Sequence, residues 1–278
     1  KKNIAIESMF LKIFSEYLYI TDNTNIDLNG YTLSSKENED STIRVANGTL
    51  TIHDRSDGGN GRITGSDCDH VIYCTGGDVE LCGGRIYQTG SVSDGVYIGS
   101  YYSEFYMQGG GICGRFDDAI EIKSSVSNTS YDLVNITGGI IDGANYGIYA
   151  PSGSGLKQVT IKGGEFKNIR YYSVYDGSLE LSVSGGSFSG YSSSNAYGIY
   201  VNSSGTLELD GTVKFSDNRN GDIYVGNSST NYINVGSNLA VASGCKGISI
   251  ATGKTGLTST NLARFTKTGS HLASKKDL

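Results

Sequence analysis

Apolar residues recur along this chain in triplets whose outer members are mostly aliphatic and whose middle member is usually tyrosine. The triplets are Leu18-Tyr19-Ile20, Ile43-Arg44-Val45, Ile72-Tyr73-Cys74, Val96-Tyr97-Ile98, Ile120-Glu121-Ile122, Ile148-Tyr149-Ala150, Val174-Tyr175-Asp176, Ile199-Tyr200-Val201, Ile223-Tyr224-Val225 and Ile248-Ser249-Ile250, spaced 24 to 29 residues apart. In a strand, neighbouring side chains point to opposite faces, so the outer members face a core and the middle ones face out. The expected exposed column is Tyr19, Arg44, Tyr73, Tyr97, Glu121, Tyr149, Tyr175, Tyr200, Tyr224 and Ser249.

Between triplets lie two more short apolar runs. One alternates and ends in glycine, as in Ile26/Leu28 with Gly30, Phe105/Met107 with Gly109, Val134/Ile136 with Gly138 and Leu181/Val183 with Gly185. The other contributes one apolar residue before a small or polar corner: Leu33, Ile86, Ile112, Ile141, Phe166, Phe188 and Val213. Three short strands per period, with glycine at the corners, predict an all-β chain. Its class is a right-handed single-stranded parallel β-helix of about ten coils, three short strands per coil, capped at the N-terminus. At ~4.8 Å per coil the rod is roughly 48 Å long. Residues 1–17 read as the N-terminal cap, with Met9, Ile13 and Phe14 at helical spacing; 18–250 form the β-helix; the polar stretch 251–278 reads as a C-terminal cap or linker.

Composition agrees with that plan. The 278 residues include 40 Gly and 20 Tyr but one Pro and no Trp, which suits short strands joined by tight corners. A net charge of −6 excludes a nucleic-acid backbone as an expected partner, and no apolar run has the length of a membrane insertion. The chain opens on Lys1-Lys2, so we expect a monomeric fragment of a larger protein. Cys68, Cys74, Cys82, Cys113 and Cys245 show no metal spacing and are expected as small apolar residues. No cofactor and no metal are expected. His53, His70 and His271 are unrelated in spacing, and the insert HDRSDGGNG (53–61) lacks the ligand order of a calcium loop.

The repeat, together with IDLNGYTLS (26–34), VTIKGGEFKN (159–168) and LSVSGGSFSG (181–190), resembles the secreted β-helix proteins of the pectate-lyase-like superfold. It is most similar to the glycine-rich cell-surface proteins of Gram-positive gut bacteria. The resemblance implies an extracellular or cell-surface location.

Two segments carry candidate chemistry. SDGVYIGS (93–100) and FDDAIEIKS (116–124) set Asp94, Asp117 and Asp118 just before successive triplets, a spacing that brings carboxylates onto neighbouring coils. Clustered carboxylates can serve as acid and base in glycosidic cleavage. The segments resemble the aspartate motifs of polygalacturonases, which implies catalytic roles for Asp94, Asp117 and Asp118. The family's Gly-His-Gly and basic clamp are missing, since Asn145-Tyr146-Gly147 and Asn168-Ile169-Arg170 stand in those places.

The other candidate is the column itself. Tyr97, Tyr149, Tyr175, Tyr200 and Tyr224, with Glu121 as an acidic notch among them, form an aromatic row suited to a polysaccharide or host-surface glycan. Tyrosine also favours strands and stacks between them, so the same row could serve the fold alone. The expected function is an adhesin-like surface module that binds glycan; a polysaccharide hydrolase and a passive stalk are the alternatives.

Overall fold

The computed structural model describes residues 2–5, 12–14, 17–35, 40–127, 130–153, 155–190, 196–202, 204–226, 232–241 and 248–252. Among the described residues, thirty strands form three parallel sheets of ten, and each sheet takes every third strand in chain order. That is a parallel β-helix of three strands per coil. Among the described residues there is no helix long and apolar enough to cross a membrane.

Pairing in register sets each residue over its counterpart one coil below. Within the third sheet Ile43, Ile72, Val96, Ile120, Ile148, Val174, Ile199 and Ile223 form one interior column, fully buried throughout. A matching column of Ile52, Leu81, Met107, Ile136, Ile161 and Val183 lines the first sheet. In the second sheet the column turns aromatic. Phe166, Phe188 and Phe215 stack with ring centroids 5.0 and 5.2 Å apart. The expected partner of Phe188 was Val213; Phe215 takes that place, because Ser187 pairs with Lys214.

The paired glycines divide the work of the corner. In Gly163-Gly164 and Gly185-Gly186 the second residue has φ of +88° and +97°, a region that penalises a Cβ. The first lies so close to the coil below that a Cβ would fall 2.3 to 2.4 Å from the carbonyl oxygen of Thr137 or Lys162. One glycine supplies the turn and the other the close approach.

Both ends of the array depart from expectation. Residues Lys2–Ala5 and Lys12–Phe14 are strands rather than parts of a helical cap, and they pair with Thr24–Asp27 and Leu33–Ser35. Ile4 stands opposite Ile26, so period-two pairing overrides the helical spacing. At the other end Ser249 is not in the exposed column. Ile250 pairs with Ile223, which places Ala251 above Tyr224. Asp222 fixes that register: its Oδ2 accepts from Ser249 N–H (2.8 Å) and Oγ (2.9 Å), and its own N–H donates to Ser249 Oγ. Beyond Thr252 the expected C-terminal cap or linker lies outside the described residues.

Two smaller points concern the insert and the thiols. Asp54 closes the 53–61 insert by accepting from Gly30 N–H, Ser56 Oγ and Gly61 N–H. Cys68 and Cys74 are buried as expected, whereas Cys82 is half-buried because Leu81 takes the inward position.

Removing the middle ring of the phenylalanine stack opens a cavity and breaks both stacking contacts. Phe188→Ala should therefore lower the stability of the array by about 3–5 kcal/mol, read as a shift in the urea midpoint at unchanged m-value.

Candidate functional site

The outer face of the third sheet carries two columns rather than one. A small inward residue precedes each of the five triplets from Val96 to Ile199: Gly95, Ala119, Gly147, Ser173 and Gly198, all buried. At Gly147 a Cβ would meet the Phe166 ring at 2.7 Å, so this position points into the core beside the aliphatic one. Two inward residues in succession turn the strand. The residue before them therefore faces outward again, alongside the triplet's middle residue.

The second column thus runs Ser41, His70, Asp94, Asp118, Tyr146, Tyr172, Tyr197 and Gly221. Beside it runs Arg44, Tyr73, Tyr97, Glu121, Tyr149, Tyr175, Tyr200 and Tyr224. On the four coils from Tyr146 to Tyr224 the face is almost wholly phenolic. Tyr149 stacks on Tyr175 (5.0 Å), Tyr175 on Tyr200 (5.6 Å) and Tyr200 on Tyr224 (4.4 Å). Rings at near-parallel angles of 29°, 11° and 12° use their flat faces on one another. All seven tyrosines are half-buried, so the surface they offer is their rims and hydroxyls. Tyr146 is pushed up to about 12 by burial and by neighbouring phenols. Burial likewise raises Tyr172, Tyr197 and Tyr200, which keeps these hydroxyls protonated as hydrogen-bond donors.

Below the tyrosines the face turns acidic for two coils. Asp94, Asp118 and Glu121 place carboxylate oxygens within 4.8 Å of one another. Asp94 and Asp118 are 3 % and 7 % exposed, too buried for water to screen their repulsion. The three respond differently. Burial raises Asp94, while His70, with Nδ1 2.7 Å from Asp94 Oδ2, pulls it back towards ionisation. Asp118 is pushed up to about 9 by burial and then by the charges of Asp94 and Glu121. Glu121 rises to about 7 through burial, the charge of Asp94 and a hydrogen bond to it.

A second aromatic group closes the notch from the other side. His70 lies parallel to Tyr97 at 4.2 Å, Tyr73 meets both edge-on, and Arg44 sits 5.0 Å above the Tyr73 ring.

The structure thus brings Asp94 and Asp118 together with Glu121, and the expected binding residues Tyr97 and Tyr149 flank them. Asp117 goes elsewhere. Its side chain is exposed, its Oδ1 accepts from Asn145 Nδ2 at 2.7 Å, and it borders a different groove beside Asp67, Ser93 and Arg115. The inward turn at Ala119 explains this, since Asp118 takes the outward site and Asp117 belongs to the corner. His70 went unassigned on metal spacing, yet it stands 24 residues before Asp94, one full period, and that interval marks it as a neighbour.

Chemically, the cluster can hold a proton on one acid while another stays ionised, which is the arrangement of an acid–base pair. Its oxygens also lie close enough to share one hard cation, whose oxygen ligands sit at about 2.3–2.6 Å. No family model, curated protein or solved structure matches this chain.

The raised carboxylates fix the direction of a pH dependence. A carboxylate whose folded pKa exceeds its unfolded value binds its proton more tightly when folded, so stability is greatest below the unfolded pKa and falls as pH rises. For Asp118 that window runs from its ordinary value of 3.8 to about 9. Asp118→Asn should therefore unfold at higher urea than the wild type at pH 9 and at nearly the same urea at pH 4.

Proposed function

We propose that this protein is a cell-surface β-helix module of the pectate-lyase-like kind that binds a glycan along the tyrosine face of its third sheet. One observation carries the reading: seven half-buried tyrosines stand in register in two columns over four consecutive coils. Phenol hydroxyls repeat there once per coil, at ~4.8 Å, along a straight rigid line. A chain molecule with hydroxyl groups at short regular intervals can meet such a comb at many points, and the rigid rings lose little entropy on contact. Because the ring faces are occupied by one another, recognition runs through hydroxyl hydrogen bonds and ring rims rather than flat stacking of sugar on phenol.

A second reading is favoured by the carboxylate notch at the end of that face. A glycan lying along the tyrosines would reach Asp118 and Glu121 as proton donors and Asp94 as the ionised partner. That set could cleave a glycosidic bond, and the close spacing of its oxygens is nearer to retaining than to inverting geometry.

The two readings separate experimentally. Tyr175→Phe/Tyr200→Phe/Tyr224→Phe keeps every ring and removes three hydroxyls. On a glycan array the wild type should retain a ligand that the triple variant loses by about tenfold or more; because the variant also gives up the Asn202 Nδ2–Tyr175 hydroxyl bond (3.0 Å), its thermal midpoint is followed alongside and should fall by no more than a few degrees. Binding that survives the loss of the hydroxyls contradicts the face as the site. Release of reducing ends from polygalacturonate or other glycans, abolished in Asp118→Asn, would make the notch catalytic.

A further inference from the structure

The aromatic ladder of the third sheet is broken at one coil, and the break carries more than a missing ring. Glu121 stands in register between Tyr97 below and Tyr149 above. Each of those rings has one face covered on the side away from Glu121, Tyr97 by His70 at 4.2 Å and Tyr149 by Tyr175 at 5.0 Å. The coil between them sets Glu121 and Asp118 outward instead of rings. The gap spans two ladder steps, roughly 9.6 Å, which leaves one ring's place without a ring.

The acids at that break differ in what they are bonded to. Asp94 is met by His70 Nδ1 at 2.7 Å, and Glu121 shares a hydrogen bond with Asp94. Asp118 has no such partner. Among the described residues no donor reaches its carboxylate, it is 7 % exposed, and one of its oxygens lies within 4.8 Å of oxygens of Asp94 and Glu121. A carboxylate buried to that degree and left without a donor costs free energy until a donor arrives. Burial and mutual repulsion raise Asp118 and Glu121, which is the electrostatic form of the same need.

Size and surroundings select the donor. An ammonium group directs its N–H bonds tetrahedrally, so acceptors at about 2.8 Å from the nitrogen stand roughly 4.6 Å from one another. Three oxygens within 4.8 Å of one another suit that triangle. Calcium takes about six to eight oxygens, whereas the neighbours on either side here are aromatic rings, which attract an organic cation. Charge also bears on which glycan can lie along this face. A polyuronate would set its carboxylates against Asp94, Asp118 and Glu121, while the arginine of these columns, Arg44, is already paired with Asp40 at 3.3 Å.

We propose that the glycan bound along the tyrosine face carries free amino groups, and that one sugar ammonium seats among Asp94, Asp118 and Glu121 between Tyr97 and Tyr149. This rests on the glycan reading above and narrows it to amino sugars that are not N-acylated. Titration calorimetry on the intact chain, at a mildly acidic pH where the sugar amine is protonated, compares a β-1,4-linked glucosamine hexamer with its fully N-acetylated counterpart. The two share backbone, length and ring hydroxyls. The amine form should bind about tenfold or more tightly than the acetylated one. Asp118→Asn/Glu121→Gln should abolish that preference and leave the fold intact, since it removes carboxylates that repel one another. Glu180→Gln/Glu208→Gln removes the same formal charge from the first sheet and should leave the preference unchanged. Equal binding of the two hexamers overturns the proposal and leaves the glycan reading standing. A preference that survives Asp118→Asn/Glu121→Gln, or that falls equally in the first-sheet pair, has the same consequence. Failure of the glucosamine hexamer to bind at about millimolar concentration also overturns it, as does saturable calcium binding that the hexamer cannot displace. An array that retains no glycan, amino or neutral, removes the glycan reading as well.

Discussion

Register between coils is the constraint on which everything else in this molecule depends. Each side chain lies over its equivalent one ladder step away, so whatever residue type occupies a position is multiplied along the rod. Where the type is apolar, multiplication is favourable: the isoleucine and valine columns are completely buried, and the phenylalanines stack. Where it is tyrosine, adjacent rings cover one another's faces. Where it is acidic, the same rule sets Asp94 directly against Asp118. Like charges at that spacing raise the energy of the folded chain, and the fold does nothing to separate them.

Other carboxylates of the rod are treated differently. Asp54 is ringed by backbone N–H groups, Asp117 is met by Asn145, and Asp142 by both Asn168 and Lys167. These are corner acids whose partners come from the same corner or from the neighbouring coil, and their role is to hold turns. Among the described residues no such donor reaches the Asp118 carboxylate, which is 7 % exposed and keeps its proton instead. The contrast separates acids that serve the architecture from an acid that the architecture merely tolerates. Groups of the second kind are where chemistry is to be sought.

Much of this was legible because period and parity survive in one dimension. Spacings near 25 residues predict vertical neighbours, and the interval from Asp94 to Asp118 is realised as a pair in register. Parity fails wherever two consecutive residues face inward. Asp117 and Asp118 are adjacent and chemically identical, and only the turn at Ala119 decides which one joins the cluster. The same ambiguity moved the top of the column from Ser249 to Ala251, since Ile248 and Ile250 are equally good core residues and the choice is made by the Asp222–Ser249 hydrogen bonds. Near the N-terminus, Met9, Ile13 and Phe14 satisfy a helical period, while the open edge of the first sheet offers Lys2–Ala5 a complete row of backbone partners. A pattern in the chain cannot register an edge that exists only after the next coil has formed.

The tyrosine face shows how one residue type can divide its parts between the fold and the surface: rings against rings, hydroxyls outward. The ring faces are spent on neighbouring coils, which ties the aromatic ladder to the register of the rod. The hydroxyls of Tyr146, Tyr172 and Tyr197 stay protonated, while the Tyr175 hydroxyl accepts from Asn202 Nδ2. Changes to the rings therefore act on the register of the rod, and a change to the Tyr175 hydroxyl also frees Asn202. At Glu121 the ladder is interrupted, and the stack of phenols ends on an acid whose proton is lost near pH 7. Under the proposed glycan reading, a ligand lying along the tyrosines ends beside a carboxylate whose charge changes near neutrality, so binding and proton transfer would share one line.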